Sequence, residues 1–94
     1  MAEIRWSAKA RKDLRQIHSY IANDSVFYAD RFIIKILKRV DVLESFPLSG
    51  RMVPEKNDET IRELIEGNYR IFYKVAHDKS IFVLRIHHSA KLIR

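Results

Sequence analysis

The sequence predicts one α+β domain: a short N-terminal strand, an antiparallel helical hairpin, and a C-terminal antiparallel sheet that the helices cover, in the order βααβββ. Three observations carry this. The 94 residues are 47% hydrophobic and 32% charged, which suits a single compact core read here as spanning residues 1–94. The hydrophobic period changes from that of a helix to that of a strand after Thr60. Cysteine is absent, so no disulfide or thiolate-metal framework shapes the chain.

The elements follow in order. Glu3–Trp6 alternates, with Ile4 and Trp6 on one side and Glu3 and Arg5 on the other, as in a short strand. Ser7 suits an N-cap, because its hydroxyl can accept from a backbone N–H of the next turn. From Ala8 to Ala22, the residues Ala10, Leu14, Ile17 and Ile21 form one helical stripe. Asn23-Asp24-Ser25 stops that helix and caps a second one, expected from Val26 to about Ser45, whose stripe is Ala29, Phe32, Ile33, Ile36, Val40 and Leu43. The short connection folds the two helices back on each other. Pro47 and Gly50 end the second helix, and Arg51–Thr60 reads as a polar loop. Ile61–Glu66, Tyr69–Val75 and Ser80–His88 read as strands, joined by two-residue turns at Gly67-Asn68 and Asp78-Lys79.

Those turns set a register. Leu64, Ile71 and Ile86 fall in one row of the core face, with Tyr73 opposite Leu84, Val75 opposite Phe82 and Tyr69 opposite His88. The other face carries the rows Ile65–Arg70–His87, Glu63–Phe72–Arg85 and Lys74–Val83. A slip of one residue would exchange the faces of a whole strand. Ile65, Phe72 and Val83 among cations make the second face unusual for bare solvent. Either the 51–60 loop and the C-terminal tail cover it in part, or it docks a partner.

Lys and Arg number 18 against 12 Asp and Glu, a net charge of +6. Between Arg70 and Arg94 six basic residues face Asp78 alone. A basic end of this kind suits an acidic partner or nucleic acid, and also suits a solvated face. The N-terminus lacks an apolar segment of signal-peptide length, and no apolar run approaches the length of a membrane span, so a soluble, cytoplasmic protein with no membrane partner is expected. A phosphate-binding glycine loop and a serine-nucleophile elbow are missing. Glu63 and Glu66 point to opposite faces of a strand and make no acid–base pair. His18, His77, His87 and His88 do not converge by spacing, so neither a metal site nor a cofactor is expected. One chemistry fits the pattern: RNA cleavage through the 2′-hydroxyl, with His87 as acid or base and Arg70, Arg85 and Lys74 around the phosphate. The competing reading pairs Arg70 and Arg85 with Glu63. Trp6 is expected to pack under the first helix.

Taken together, the residues resemble the RelE/ParE family of toxins from bacterial type II toxin–antitoxin modules. The matching pieces run from Trp6-Ser7, Ala10, Asp13-Leu14, Ile17 and Tyr20-Ile21 through Ala29, Phe32 and Leu43. They continue with Phe46-Pro47, Gly50-Arg51, Arg62-Glu63-Leu64, Tyr69-Arg70-Ile71 and Tyr73, and end with Val83-Leu84-Arg85-Ile86 and His88-Ser89-Ala90-Lys91. The resemblance implies a RelE/ParE-like fold and a growth inhibitor neutralised by a cognate antitoxin that is acidic, partly disordered and DNA-binding.

The family divides by target. ParE-like members, of the plasmid stabilisation type, act on DNA gyrase, and RelE-like members cut mRNA in the ribosome. Gly50-Arg51, Arg62-Glu63-Leu64 and the His88-Ser89-Ala90-Lys91 ending look ParE-like, although Ser89 and Lys91 stand where the family more often has Gly and Arg. For the RelE-like reading, Arg70 matches an arginine of the nuclease members and His87 a histidine of some. His88 stands in place of their terminal tyrosine, and Lys56 is the only lysine in the central loop. The resemblance therefore implies a ParE-like gyrase inhibitor with no catalytic residue. The residues expected to meet the target or partner are Ile65, Arg70, Phe72, Lys74, Val83, Arg85, His87, Lys91 and Arg94. On the alternative RelE-like reading, a ribosome-dependent and metal-independent endoribonuclease, the catalytic residues are Arg70, Arg85 and His87.

Overall fold

A computed structural model describes residues 3–89. Strand β1 (Ile4–Trp6) leads into helix α1 (Ala8–Ala22) and helix α2 (Val26–Asp41), which tightens into a 3₁₀ turn (Val42–Glu44). Strands β2 (Arg51–Met52), β3 (Ile61–Glu66), β4 (Tyr69–Val75) and β5 (Ile81–His88) follow. They form one sheet in the order β1-β5-β4-β3-β2, with β1 parallel to β5 and the other neighbours antiparallel. The helix-on-sheet α+β architecture is the expected one.

The helix starts are capped as serine chemistry dictates. Ser7 Oγ accepts from the Ala10 N–H at 2.9 Å, and Ser25 Oγ accepts from the Tyr28 N–H at 3.2 Å. The helices lay their stripes on one face of the sheet. Ala10, Ile17, Ile36, Val40 and Leu43 meet Leu64, Ile71, Tyr73, Val75, Ile81, Val83 and Ile86 in one core, with Trp6 half-buried against it beside Ile4 and Leu14.

Three local expectations are corrected. The second helix stops being α-helical at Asp41, because a tighter turn takes over for Val42–Glu44. The polar 51–60 segment is not all loop, since Arg51 and Met52 pair with Glu63 and Arg62 as a short edge strand. The third concerns the last hairpin. Asp78 accepts from the Ser80 N–H at 3.0 Å and from its hydroxyl at 2.6 Å, and Lys79 takes a left-handed φ of 72°. The Ala76 N–H donates to the Ser80 carbonyl at 2.8 Å, so His77, Asp78 and Lys79 all lie in the loop. A three-residue loop with its last residue left-handed replaces the expected two-residue turn. Partners near the loop therefore shift by one: Tyr73 faces Val83, Lys74 faces Phe82, and Val75 faces Ile81. A bulge at Leu84 then absorbs one residue and restores the expected rows Phe72–Arg85, Ile71–Ile86, Arg70–His87 and Tyr69–His88. Val83 consequently belongs to the helix-covered core, and Phe82 takes its place on the other face.

The first β-turn agrees with expectation. Gly67 has φ 57° and starts a two-residue turn between the paired Glu66 and Tyr69.

Past α2 the chain is pinned by one phenol. Tyr73 Oη donates to the Pro47 carbonyl at 2.9 Å and accepts from the Gly50 N–H at 2.8 Å. A Cβ at Gly50 would lie 2.5 Å from that oxygen and 2.6 Å from the Glu63 carbonyl, so only glycine fits. Tyr73→Phe leaves both backbone groups without the hydroxyl and is expected to lower the unfolding free energy by about 1–3 kcal/mol in a urea titration. Burial holds the Tyr73 phenol above its ordinary value of 10.0. Below that pH both states keep the proton. Above it the unfolded chain ionises first, so stability falls as pH rises. The variant should lose this share of the alkaline decline, and an unchanged slope would contradict the burial argument.

Candidate functional site

The sheet face opposite the helices carries Glu63, Arg70, Phe72, Lys74, Phe82 and His87, with Ile65 exposed near its end. Pleating places Glu63 and Arg70 as diagonal neighbours on β3 and β4, and Arg51 of β2 directly opposite Glu63. Glu63 has no exposed side-chain surface, and Arg70 only 8%. A carboxylate so far from water must be paired. Arg70 donates to it through Nε at 3.1 Å and Nη2 at 2.6 Å, and Arg51 Nη2 adds a third bond at 3.1 Å.

The second fork of Arg70 is also occupied. Nη1 and Nη2 donate to the two oxygens of Glu55 at 2.7 and 2.8 Å. Four of the five guanidinium N–H groups thus meet carboxylates, an arrangement that holds Arg70 protonated more firmly than an ordinary arginine, Glu55 contributing most and Glu63 next. Arg70 also lies over the Phe72 ring, 4.9 Å from its centroid, and the His87 ring meets Phe72 edge-on at 5.6 Å. The 53–60 segment forms one wall of a cleft of about 430 Å³, where Lys56, Asn57 and Asp58, with Ile61 of β3, face Phe72, Leu84, Arg85 and His87.

A second cluster closes the edge of β5 where β1 ends. The Ser7 N–H donates to the Val83 carbonyl at 3.0 Å, and Ser7 Oγ donates to the Leu84 carbonyl at 2.8 Å. Nearly two turns further along, Asp13 of α1 accepts from the Ile86 N–H at 2.8 Å and from Arg85 Nε and Nη2 at 2.9 and 3.2 Å. Arg85 is held in its charged form by this pairing, yet its side chain keeps 41% exposure. Helix α1 thereby supplies the partners that a neighbouring strand would otherwise give.

Of the residues expected to form a binding face, Ile65, Arg70, Phe72, Lys74 and His87 share the open face, and Arg85 reaches round its edge. Phe72 is 4% exposed and Arg70 is enclosed between Glu55 and Glu63. Val83 is 0% exposed beneath the helices, because the longer turn moved it by one position. Lys91 and Arg94 lie outside the described residues. Glu55 and the β5-capping role of Asp13 were not foreseen. Asp13 carried a signal, being an acid on the apolar stripe between Ala10 and Ile17. Glu55, in an irregular segment after Pro54, carried none. Among the described residues no three His, Asp or Glu side chains converge to hold a metal, and no helix is long and apolar enough to cross a membrane.

Residues 4–93 match the family described as ParE toxin of type II toxin-antitoxin system, parDE, and the chain belongs to that family. It is similar to Toxin RelE2 of Caulobacter vibrioides, at 34% identity over 98% of this chain and 100% of that protein. Among solved structures it resembles a chain of the chromosomal ParDE system of P. aeruginosa, with a TM-score of 0.75 and 24% identity over 94% of this chain and 96% of that one. It also resembles a chain of the toxin–antitoxin complex RelBE2 of Mycobacterium tuberculosis, with a TM-score of 0.69 and 19% identity over 96% and 93%. These two likenesses establish the fold.

The two arginines differ in what their removal costs. Arg70→Met strands a buried carboxylate and is expected to destabilise by about 3 kcal/mol or more. Arg85→Ala leaves the buried Asp13 carboxylate its bond from the Ile86 N–H and opens the 41% exposed arginine position to water, so it should cost less, about 1–2 kcal/mol. Equal losses in urea denaturation would show that Arg70 is not the structural member of the pair.

Proposed function

We propose that this toxin acts by binding, as a ParE-like inhibitor of DNA gyrase, and that a cognate antitoxin restrains it. One observation supports binding over catalysis. Both forks of Arg70 are engaged by Glu63 and Glu55, and Arg85 is engaged by Asp13. An RNase needs its arginines aimed at a phosphate that gains charge in the transition state. Here carboxylates already stand at those donors, and they would repel the phosphate.

A target protein would meet the exposed members of this face, Ile65, Lys74 and Phe82, and the free flank of Arg85. The antitoxin has a second surface available. Ile21, Tyr28, Phe32 and Ile34 line a groove of about 630 Å³ on the helical hairpin, rimmed by Arg31, Lys35 and Lys38. An acidic amphipathic segment, disordered until bound, suits such a groove on a chain of net charge +6. The antitoxin's own DNA-binding part, action in the cytoplasm and a role in plasmid stabilisation belong to the same reading.

The alternative reading is a ribosome-dependent mRNA endoribonuclease. It draws on Arg70 and His87 being direct cross-strand partners, with Arg85 in the adjacent row. Brief induction separates the two. Gyrase inhibition predicts that DNA synthesis stops before translation, and that purified toxin blocks supercoiling at near-stoichiometric ratio. Untouched supercoiling, together with transcript cleavage that His87→Ala abolishes, would replace this reading with the nuclease one.

A further inference from the structure

We propose that Glu55 is an internal anion that bars phosphodiesters from the outer fork of Arg70, and so sets the toxin's preference for protein over RNA. The inference rests on the binding reading above and assigns that preference to one side chain. A guanidinium fork takes a carboxylate or a phosphate with the same geometry. Arg70 presents two forks. The inner one, Nε and Nη2, is fixed on Glu63, whose side chain is wholly buried. The outer one, Nη1 and Nη2, receives Glu55, which is 26% exposed and therefore lies on the solvent side of the pair. Glu55 stands where a bound phosphate would place its two oxygens.

The surroundings suit such a ligand. Next to this fork, across the Phe72 ring, lies the cleft that Lys56, Asn57 and Asp58 line from the 53–60 segment and Arg85 and His87 from β5. The ring of Phe72 backs Arg70 from below. Two cations, an amide and an imidazole outnumber the single Asp58 carboxylate round this cleft of about 430 Å³, which would take the sugar of a phosphate held at the outer fork. The carboxylate that completes the fold at Arg70 also cancels the charge this site would offer.

The test is a titration of the purified full-length chain with a fluorescently labelled, short single-stranded RNA, read by anisotropy at several salt concentrations. Glu55→Gln keeps the shape and removes the charge. It is expected to tighten RNA binding about tenfold or more, the effect of one added charge-assisted contact. The salt dependence should steepen by about 0.7 in log–log slope, as for one more neutralised phosphate on a single strand. Glu55→Asp, which keeps the carboxylate, should stay with the wild type. Glu59→Gln removes an exposed charge from the same segment but not from Arg70, whose outer fork is held by Glu55, and should give no gain. If Glu55→Gln does not fold, Glu55→Ala carries the same expectation. Equal affinity of wild type and the charge-removing Glu55 variant, or an equal gain from Glu59→Gln, overturns the proposal. Transcript cleavage by the wild type would instead overturn the binding reading on which it rests, so the two failures are distinct.

Discussion

Glu63 lies on β3 with its carboxylate withdrawn from water, on the face that the helices do not cover. A charge in that position is tolerable only if it is fully hydrogen-bonded. Arg70 supplies two bonds from the neighbouring strand and Arg51 one from the edge strand. Much of the open face follows from that requirement. Arg51 is in reach because Arg51 and Met52 pair with β3 as a strand. Arg70, drawn inward, brings its second fork to Glu55, and Glu55 holds the 53–60 segment against the sheet beside Phe72. Replacing a buried ion pair by apolar groups of similar volume often leaves a domain as stable. The ion network is therefore best understood as what shapes this face, while the helix-covered core supplies the bulk of the apolar burial.

Two other devices solve a backbone problem with a side chain. Where β1 ends, the edge of β5 would be left with exposed N–H and C=O groups, a liability for sheets. Ser7 and Asp13 satisfy them from α1, so one serine caps a helix and closes a sheet edge together. Where α2 runs out, the turn towards β2 is fastened by the Tyr73 hydroxyl, with Arg62 donating to the Gly50 carbonyl at 3.0 Å. Both devices join segments far apart in the chain.

The elements were legible because their signals are local. The serine caps, the helical stripe ending at Asn23 and the alternation after Thr60 each lie within a few residues, and the helix α1 bounds agree with the reading. The register was legible in part. Gly67-Asn68 announced its turn through glycine, whereas Asp78-Lys79 gave no such sign that Lys79 would go left-handed. The compensating bulge at Leu84 had no signature at all, and so Val83 was assigned to the wrong face. The site was the least legible. The pairing of Arg70 with Glu63 was one of two readings held open. The decisive partner, Glu55, comes from a segment without periodicity, and only the closed fold shows that it reaches Arg70.

The character of the open face follows from how its arginines are engaged. Here the sheet presents cations that are already answered from within the chain, and what remains outward is a mixed apolar and basic surface. The most direct measurement is hydrogen exchange at the Arg70 Nε–H by nitrogen-15 NMR, with Arg5, whose Nε–H meets only the exposed Glu3 carboxylate at 2.9 Å and whose side chain is 63% exposed, as the internal reference. A guanidinium locked between Glu63 and Glu55 predicts an Arg70 Nε–H that exchanges far more slowly than that of Arg5 and is undisturbed by added single-stranded RNA. Exchange as fast as at Arg5, or a resonance that shifts as RNA is added, would contradict the lock.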